Sequence, residues 1–313
     1  MAQRPLVSIV TPFYNEGEGV KHFYQVMTQT MEKLPNYDFE LICVDDGSKD
    51  NTLEQLIALS KTDPRVIVLE FSRNFGKEPA MTAGIDAASG DCVIPIDADL
   101  QDPPGLISEM LTKWQEGAEV VLAKRIDRSS DSYAKRTTAL MFYRLHNALS
   151  HLQIPENVGD YRLMDRVVVD ALKQLPERQR FMKGLFAWVG FKTVTVEYVR
   201  DARLVGDSKF SGWKLWNFAI EGITSFSLVP LKVWTYVGGI GALFALFYAL
   251  FVIVKTLVFG IDVPGYASLL VVMLFFGSLQ LVCLGVLGEY IGRIYFESKQ
   301  RPLYLIRKRH SNK

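Results

Sequence analysis

Short apolar runs alternate with amphipathic stretches through the first 130 residues of the chain. The apolar runs predict five β-strands, which begin at Leu6, Phe39, Val66, Cys92 and Val120. The stretches between them have helical spacing and predict helices over residues 19–34, 52–61, 79–88 and 105–117. This alternation is typical of βαβ units, so we expect an α/β domain with a Rossmann-like, mostly parallel sheet.

Two long runs without charged side chains follow near the C-terminus, at residues 233–254 and 263–288. Each run is long enough to cross about 30 Å of hydrocarbon as a helix. Buried helices of a soluble core are the alternative, but two such runs in series are too apolar for water. We therefore predict a catalytic or binding domain over residues 1–212, and transmembrane helices over residues 232–258 and 264–289.

The residues that flank these runs predict their orientation. The tail, residues 290–313, is rich in Lys and Arg, whereas the connecting turn offers only Lys255 and Asp262. The positive-inside rule then places both termini in the cytoplasm, with a multi-pass chain in the bacterial inner membrane.

Residues 213–231 include Trp213 and Trp216 at helical spacing, which predicts an amphipathic interface helix. A helix packed on the domain is the alternative.

Composition narrows the class of protein. The chain has 313 residues, 49% of them hydrophobic, and a net charge of +1, so nothing in its charge indicates nucleic-acid binding. Its three cysteines are isolated in apolar runs, without the spacing of a disulfide framework or a zinc site. The N-terminus leads directly into a predicted strand, so we expect no signal peptide and a first domain that stays in the cytoplasm.

Polar residues follow the first four predicted strands, and we expect them to converge on one crevice at the carboxyl ends of the strands. Asp97 and Asp99 follow the fourth strand, where alternate residues would point to the same side. Two carboxylates suit Mg²⁺ or Mn²⁺ with a bound diphosphate. A turn in which Asp99 or Asp102 caps the next helix is the alternative. The chain lacks the glycine motifs of P-loop and dinucleotide-binding proteins.

Eight motifs in order carry a resemblance to a known family. They are PFYNE at 12–16, VDDGSKD at 44–50, RNFGKEPA at 73–80, DADLQDPP at 97–104, AKR at 123–125, NVGDYRLM at 157–164, GDSKF at 206–210 and GEYIGRIY at 288–295. With these motifs and the apolar hairpin, the chain resembles the family-2 inverting glycosyltransferases of the polyprenyl-phosphate type. It is most similar to the bactoprenol glucosyltransferases of O-antigen modification. The resemblance implies the GT-A type nucleotide-sugar-binding fold.

The resemblance also implies roles for individual residues. The residues that match nucleotide-binding positions are Pro12, Tyr14, Glu16, Asp46, Arg73 and Lys77. Those that match the metal and diphosphate site are Asp97, Asp99 and Gln101. Asp160 matches a carboxylate near the acceptor, and the predicted catalytic residues are Asp97, Asp99 and Asp160. Cations that match the acceptor and diphosphate contacts are Arg125, Lys135, Arg136, Arg203 and Lys209.

The expected reaction is inverting transfer of a hexose, glucose by resemblance, from a UDP-sugar to undecaprenyl phosphate, for modification of a cell-envelope glycan. A phosphate monoester is largely ionised at neutral pH, with a second pKa of about 6, so proton abstraction by Asp160 is optional. We expect Asp160 to position the acceptor or balance charge as much as to act as a base.

Other functions stay open. A dolichol-phosphate mannose synthase-like enzyme would use GDP-mannose, and a non-enzymatic subunit would bind or transport lipid on an inactive transferase fold. A processive synthase is disfavoured because the chain lacks a Gln-x-x-Arg-Trp segment. The sequence does not determine the transferred sugar, the metal ion or whether the chain forms a homo-oligomer.

Overall fold

A mixed β-sheet is the centre of the domain in the computed structural model, which describes residues 4–126, 158–178, 180, 182–199, 229–260 and 265–312. The strands in these ranges are β1 (Leu6–Phe13), β2 (Asp38–Asp45), β3 (Val66–Phe71), β4 (Cys92–Pro95), β5 (Val120–Arg125), β6 (Val158–Asp165), β7 (Thr193–Tyr198) and β8 (Ile306–His310). Their order across the sheet is β7-β5-β6-β4-β1-β2-β3-β8. The predicted α/β, mostly parallel sheet is confirmed.

Helices cover the sheet and extend beyond it. They are α1 (Val20–Glu32), α2 (Thr52–Thr62), α3 (Lys77–Ala87), α4 (Ile107–Gln115), α5 (Arg166–Lys173), α6 (Met182–Trp188), α7 (Val229–Phe259) and α8 (Tyr266–Ser298). Helix α3 begins two residues before the predicted start at residue 79, because Pro79 falls in its first turn, where a missing N–H costs nothing.

The parallel strands read as apolar runs because both faces of the sheet are buried. Along β1, Val7 and Ile9 pack in the core on one face, whereas Val10 packs in the core on the other. Parallel pairing joins β4, β1, β2 and β3, and β6 pairs antiparallel with both β4 and β5. The carboxyl ends of β1 to β4 therefore meet at one edge of the sheet.

Strand β4 is shorter than predicted, and this changes how the two aspartates are presented. It ends at Pro95, so Asp97 and Asp99 lie in the turn that follows. In that turn the Leu100 amide donates to the Asp97 carbonyl at 3.4 Å, and Leu100 has a φ of 51°. The two carboxylates are therefore positioned by a turn, and not by strand alternation as predicted.

The alternative in which Asp99 or Asp102 caps the next helix is also wrong. A short 3₁₀ turn, Pro104–Leu106, precedes α4, and neither element has a side-chain cap. Asp99 Oδ1 instead accepts from the Gln101 amide at 3.2 Å, within its own turn.

The helices α7 and α8 present apolar side chains to the outside. Leu257 and Phe259 of α7 are each 81% exposed. Many of the large apolar side chains of α8 are exposed as well. Within the described residues, one segment, Val272–Ser298, is long and apolar enough to cross a membrane, and none of its most apolar stretch is buried. The predicted interface helix at residues 213–231 falls almost wholly outside the described residues.

The basic tail predicted at residues 290–313 begins within α8 and then joins the β-sheet. Helix α8 continues to Ser298, and β8 then pairs antiparallel with β3. Tyr304 stacks on Phe71 with ring centroids 5.2 Å apart, and its hydroxyl donates to Asp86 at 2.8 Å. The edge of β3 offers backbone groups that β8 can pair with, and the cytoplasmic location of the tail stays a prediction.

Candidate active site

The loop after β3 is fixed to the end of β2 by a single carboxylate. Asp46 is 3% exposed, and its Oδ1 accepts from the Phe75 amide at 2.7 Å. Its Oδ2 accepts from the Gly76 amide and from Asn74 Nδ2, both at 2.9 Å. Burial raises the pKa of the Asp46 carboxyl, although these amide donors oppose the shift. Asp46 thus sets the path of the chain into α3, and contact with a nucleoside stays a prediction.

Gly47 lets the two loops approach each other closely. Its φ is +67°, and a Cβ at this position would lie 2.5 Å from the carbonyl carbon of Arg73 and 2.6 Å from the Asn74 nitrogen. No L side chain fits there without movement of the backbone. The Asp46-Gly47 pair, which by sequence indicates only a turn, therefore holds one wall of the site.

The loops after β1 and β2 are joined by reciprocal hydrogen bonds. The Asn15 amide donates to Ser48 Oγ at 3.0 Å, and the Lys49 amide donates to Asn15 Oδ1 at 2.8 Å. Asn15 has a φ of 52°, which turns the chain sharply after β1. Beside it, Tyr14 is 42% exposed and Glu16 is also exposed. The predicted nucleotide-binding residues Pro12, Tyr14 and Glu16 therefore lie at the carboxyl end of β1, next to Asp46.

Lys77 joins two of the predicted catalytic carboxylates. Its Nζ lies 2.8 Å from Asp97 Oδ1, 2.9 Å from Asp97 Oδ2 and 2.9 Å from Asp160 Oδ2. Asp160 projects from β6, the strand next to β4, and Lys77 reaches the same point from the first residue of α3. Residues that are far apart in sequence thus share one ammonium group.

The electrostatic balance of this cluster keeps Asp160 ionised. Burial acts to raise the pKa of the Asp160 carboxyl, but the ammonium groups of Lys77 and Lys183 outweigh it and hold the pKa below its ordinary value. Burial raises the pKa of the Asp97 carboxyl, with Lys77 opposing the shift and Asp160 adding to it. Within the described chain, Asp160 Oδ1 is buried without a hydrogen-bond partner.

Glu78 and Arg162 form a second layer behind Asp160. Glu78 Oε2 accepts from the Met182 amide at 3.2 Å, and burial raises its pKa to about 7, with Asp160 adding to the shift. The Arg162 guanidinium donates to the carbonyl of Gly159 at 2.7 Å and stacks over Phe186 at 4.0 Å. Burial lowers the Arg162 pKa to about 10, so the group stays charged at neutral pH.

On the far side of the turn, Asp102 belongs to a different group of polar side chains. Its Oδ1 accepts from the Tyr198 hydroxyl. Burial raises the pKa of the Asp102 carboxyl, and the Tyr198 hydroxyl and the nearby Arg125 guanidinium oppose the shift. Tyr198 stands at the end of β7 beside Arg125 at the end of β5, because these strands are paired in register. Arg125, a predicted acceptor contact, is therefore held at the edge of the site.

The structure brings most of the predicted site together. Pro12 is the next-to-last residue of β1. Tyr14, Glu16, Asp46, Arg73 and Lys77 follow β1, β2 and β3, and the turn with Asp97, Asp99 and Gln101 follows β4. Arg73 is exposed, donates to the Asn74 carbonyl at 2.9 Å and lies 4.0 Å from the Phe75 ring centroid. Lys135, Arg136, Arg203 and Lys209 lie outside the described residues.

Several site residues were not found by sequence reasoning. Glu78, Asn74 and Tyr198 have no predicted role, and Lys77 was assigned to the nucleotide rather than to the carboxylates. The sequence contained one indication of Lys77 and Glu78, since the motif RNFGKE places this Lys-Glu pair at the start of a helix that connects two strands. Only the strand order shows that this helix crosses toward β4.

The donor set of the turn fits a divalent cation that also binds its substrate. Across the described part of the chain, no three His, Cys, Asp or Glu side chains are grouped to hold a metal ion by themselves. Asp97 and Asp99 instead offer hard oxygen ligands from one turn. Mg²⁺ and similar cations typically bind one or two carboxylates and take their other ligands from water and substrate phosphates.

A sheet with carboxylates at the carboxyl ends of its strands, and an antiparallel strand that adds Asp160, is the arrangement of GT-A type glycosyltransferases. The fold is shared with glucosyl-3-phosphoglycerate synthase from Mycobacterium tuberculosis, solved with Mn²⁺, uridine diphosphate and phosphoglyceric acid. The TM-score is 0.51 at 22% identity, over 70% of this chain and 76% of that chain. This likeness shows the fold of the domain.

The chain belongs to glycosyl transferase family 2, whose domain matches residues 8–173. Residues 229–294 match the GtrB C-terminal hairpin. The SfII prophage-derived bactoprenol glucosyl transferase of Shigella flexneri is 56% identical over 97% of this chain and 98% of that protein. A prophage bactoprenol glucosyl transferase homolog of Escherichia coli K12 is 54% identical over 96% of this chain and 98% of its own length. The protein is therefore a glycosyltransferase, as the resemblance implied.

Proposed function

We propose that this enzyme transfers glucose from UDP-glucose to a polyprenyl phosphate, with inversion at the anomeric carbon. The observation that carries the substrate assignment is the 56% identity to a bactoprenol glucosyl transferase, which extends over almost the whole of both chains. The aligned length spans both the family-2 domain and the C-terminal hairpin. The product is a lipid-linked sugar for modification of a cell-envelope glycan.

The reaction forms one bond and breaks one bond at the anomeric carbon. An oxygen of the lipid phosphate attacks from one face, and the bond to UDP breaks on the other face with its electron pair leaving on the diphosphate. Mg²⁺ or Mn²⁺, held by Asp97 and Asp99 with Gln101 beside them, would stabilise that negative charge. The Mn²⁺ in the structural relative supports a divalent cation. Arg203 and Lys209 are proposed to close over the diphosphate.

Asp160 has a charge and positioning role in this proposal. Its lowered pKa makes it a weak base, and the acceptor phosphate is already largely ionised at neutral pH. Asp160 lies beside the positive charges of Lys77 and Arg162. Its negative charge offsets theirs at the place where donor and acceptor meet. Arg125, Lys135 and Arg136 are proposed to bind the acceptor phosphate, since two anionic substrates need nearby cations.

The hairpin gives the site access to a substrate that stays in the bilayer. We infer that α7 and α8 both cross the membrane and that residues 213–231 lie at its surface. The pairing of β8 with β3 supports placing the tail on the same side as the catalytic domain, which is the cytoplasmic side by the charge of the tail.

The test is an assay of purified enzyme with undecaprenyl phosphate, Mg²⁺ or Mn²⁺ and a panel of UDP-glucose, UDP-galactose and GDP-mannose. We expect a lipid-linked sugar with UDP-glucose, and a loss of at least about 100-fold in Asp99→Ala. Asp170→Ala, which removes an exposed carboxylate of α5, is the matched control. Product with GDP-mannose alone would indicate a mannose synthase, and nucleotide binding without any product would indicate a lipid-binding subunit.

The role of Asp160 has a separate measurement. We expect Asp160→Asn to lower kcat about tenfold, which is less than the roughly 10²–10⁴-fold contribution of a general base. Unchanged turnover would exclude a catalytic role, and a loss of about 10⁴-fold at every pH would favour an essential base.

A further inference from the structure

The ammonium group of Lys77 occupies the position between two carboxylates of the active site. It contacts both oxygens of Asp97 at 2.8 Å and 2.9 Å, and Oδ2 of Asp160 at 2.9 Å. An ordinary surface ion pair uses one carboxylate and contributes little. This arrangement places one cation against both carboxylates, with Asp160 only 17% exposed and Asp97 31% exposed.

The two carboxylates are held more firmly than the cation between them. Asp97 lies in the turn that closes after β4, and Asp160 is part of β6. The backbone of Lys77 is also fixed, since Asp46 binds the loop before it. Its side chain, however, is a flexible chain of four methylenes and is 46% exposed, so the ammonium group can move while its anionic partners stay in place.

A divalent cation and this ammonium group would require the same oxygens. Both oxygens of Asp97 face Lys77, and Asp97 is one of the two carboxylates that the proposed function assigns to the metal. Two cations on one carboxylate repel each other strongly in a partly buried site. A metal ion can therefore bind Asp97 well only if the ammonium group leaves it.

We propose that Lys77 competes with the divalent cation for Asp97, so that the cation binds tightly only together with the donor diphosphate. The oxygens of the diphosphate accept the displaced ammonium group and complete the coordination of the cation. Lys77 thereby couples the binding of metal to the binding of donor. This inference rests on the proposed function, because it uses the metal site assigned there.

The test measures the affinity of the full-length enzyme for Mn²⁺ alone and with UDP, by calorimetry or by electron paramagnetic resonance. In Lys77→Gln without nucleotide, we expect Mn²⁺ to bind at least about tenfold tighter than in the wild type. The increase in Mn²⁺ affinity on addition of UDP should fall by a similar factor. Lys77→Arg keeps the positive charge and should bind Mn²⁺ as the wild type does.

Lys113→Gln is the matched control, since it removes an ammonium group from an exposed pair with Glu116 on α4. Unchanged or weaker Mn²⁺ binding by Lys77→Gln would overturn the inference and leave Lys77 as a structural counter-ion. Wild-type enzyme that binds no Mn²⁺ even with UDP would instead contradict the proposed metal site.

Lys77→Gln leaves the Asp97 and Asp160 carboxylates without the Lys77 ammonium group, so the folding of this variant is a second test of the inference. If Lys77→Gln does not fold in metal-free buffer, Mn²⁺ during purification should restore folded protein, because the cation then neutralises the same oxygens. Failure of Mn²⁺ to restore it would contradict the competition.

Discussion

At the scale of single residues, the site depends on charged groups that compensate one another at short distance. Lys77 forms ion pairs with two carboxylates. The Asp46 carboxylate is buried and accepts hydrogen bonds that hold a loop in place. A change at one of these residues therefore alters the charge or position of its neighbours. Stability and substrate binding should respond together to such changes.

Glu78 should make the stability of the fold depend on pH. Burial raises its pKa to about 7 from an ordinary value of 4.5, with Asp160 adding to the shift and Lys77 and Lys183 opposing it. The folded state therefore binds more protons than the unfolded state between these values, and the free energy of unfolding falls as pH rises through them. The contribution lost by neutral pH is on the order of 3 kcal/mol.

Glu78→Gln should remove this part of the pH dependence, because the amide oxygen still accepts from the Met182 amide and carries no charge. Thermal unfolding of the wild type and the variant between pH 4.5 and 7.5 is the measurement. Glu109→Gln, at an exposed position of α4, should leave the wild-type slope unchanged. Equal slopes in Glu78→Gln and the wild type would refute the assignment.

Gly47→Ala should displace the loop that leads to Lys77. A Cβ at this position would lie 2.5 Å from the backbone of Arg73, and the φ of +67° is unfavourable for alanine. We expect a loss of about 1–3 kcal/mol in stability and weaker UDP binding, measured by unfolding and by calorimetry. Gly105→Ala is the control, since among the described residues no atom beyond its chain neighbours lies within 4 Å of its Cβ position. Similar behaviour of the two variants would contradict the role of Gly47.

At the scale of elements, the last strand connects the C-terminal hairpin to the sheet that carries the site. The Arg178 amide donates to Glu297 at the end of α8 at 2.8 Å, and the Ser72 amide donates to the carbonyl of Leu305 at 3.0 Å, just before β8. Glu70 of β3 accepts from His310 at 3.0 Å and pairs with Arg307 at 3.4 Å. These contacts fix the end of α8 relative to the sheet that carries the site.

Tyr304→Ala should loosen this connection. The substitution removes the stack on Phe71 and the hydrogen bond to Asp86, so β8 should open more often. We expect trypsin to cleave at residues 307–309 about tenfold faster, by mass spectrometry of the products. Tyr304→Phe keeps the stack and should show a smaller increase. Equal cleavage of the wild type and Tyr304→Ala would show that the stack does not hold the strand.

At the scale of the whole molecule, the length of the two C-terminal helices is sufficient for a hairpin through the bilayer. Helices α7 and α8 have 31 and 33 residues, so each is about 46–50 Å long, compared with about 30 Å of hydrocarbon. Their exposed apolar side chains need lipid or another protein surface.

Cysteine labelling in intact cells should show both helices crossing. In a Cys283→Ser background, an impermeant maleimide should label Asp262→Cys between the helices from outside, because Cys43 and Cys92 are buried. It should label Asn312→Cys, beyond β8, only after the cells are opened. Labelling of both positions under the same condition would contradict two crossings.

The sequence by itself determined the layers of the molecule. Apolar runs with helices between them predicted β1 to β5, because a strand buried on both faces must be apolar at every position. Four polar strand ends predicted one crevice, because parallel strands bring their carboxyl ends to one edge. The long uncharged runs near the C-terminus predicted α7 and α8 by length alone.

Only the tertiary structure decided which charged residues of the site contact one another. The pairing of Lys77 with Asp97 and Asp160 depends on the crossing of α3 and the insertion of β6 beside β4, and neither leaves a local pattern in the chain. The addition of β8 to β3 likewise depends on a free sheet edge, which exists only after the sheet has formed. Local periodicity reports which face of an element is buried, whereas contacts between distant residues depend on strand order and on the turns that redirect the chain.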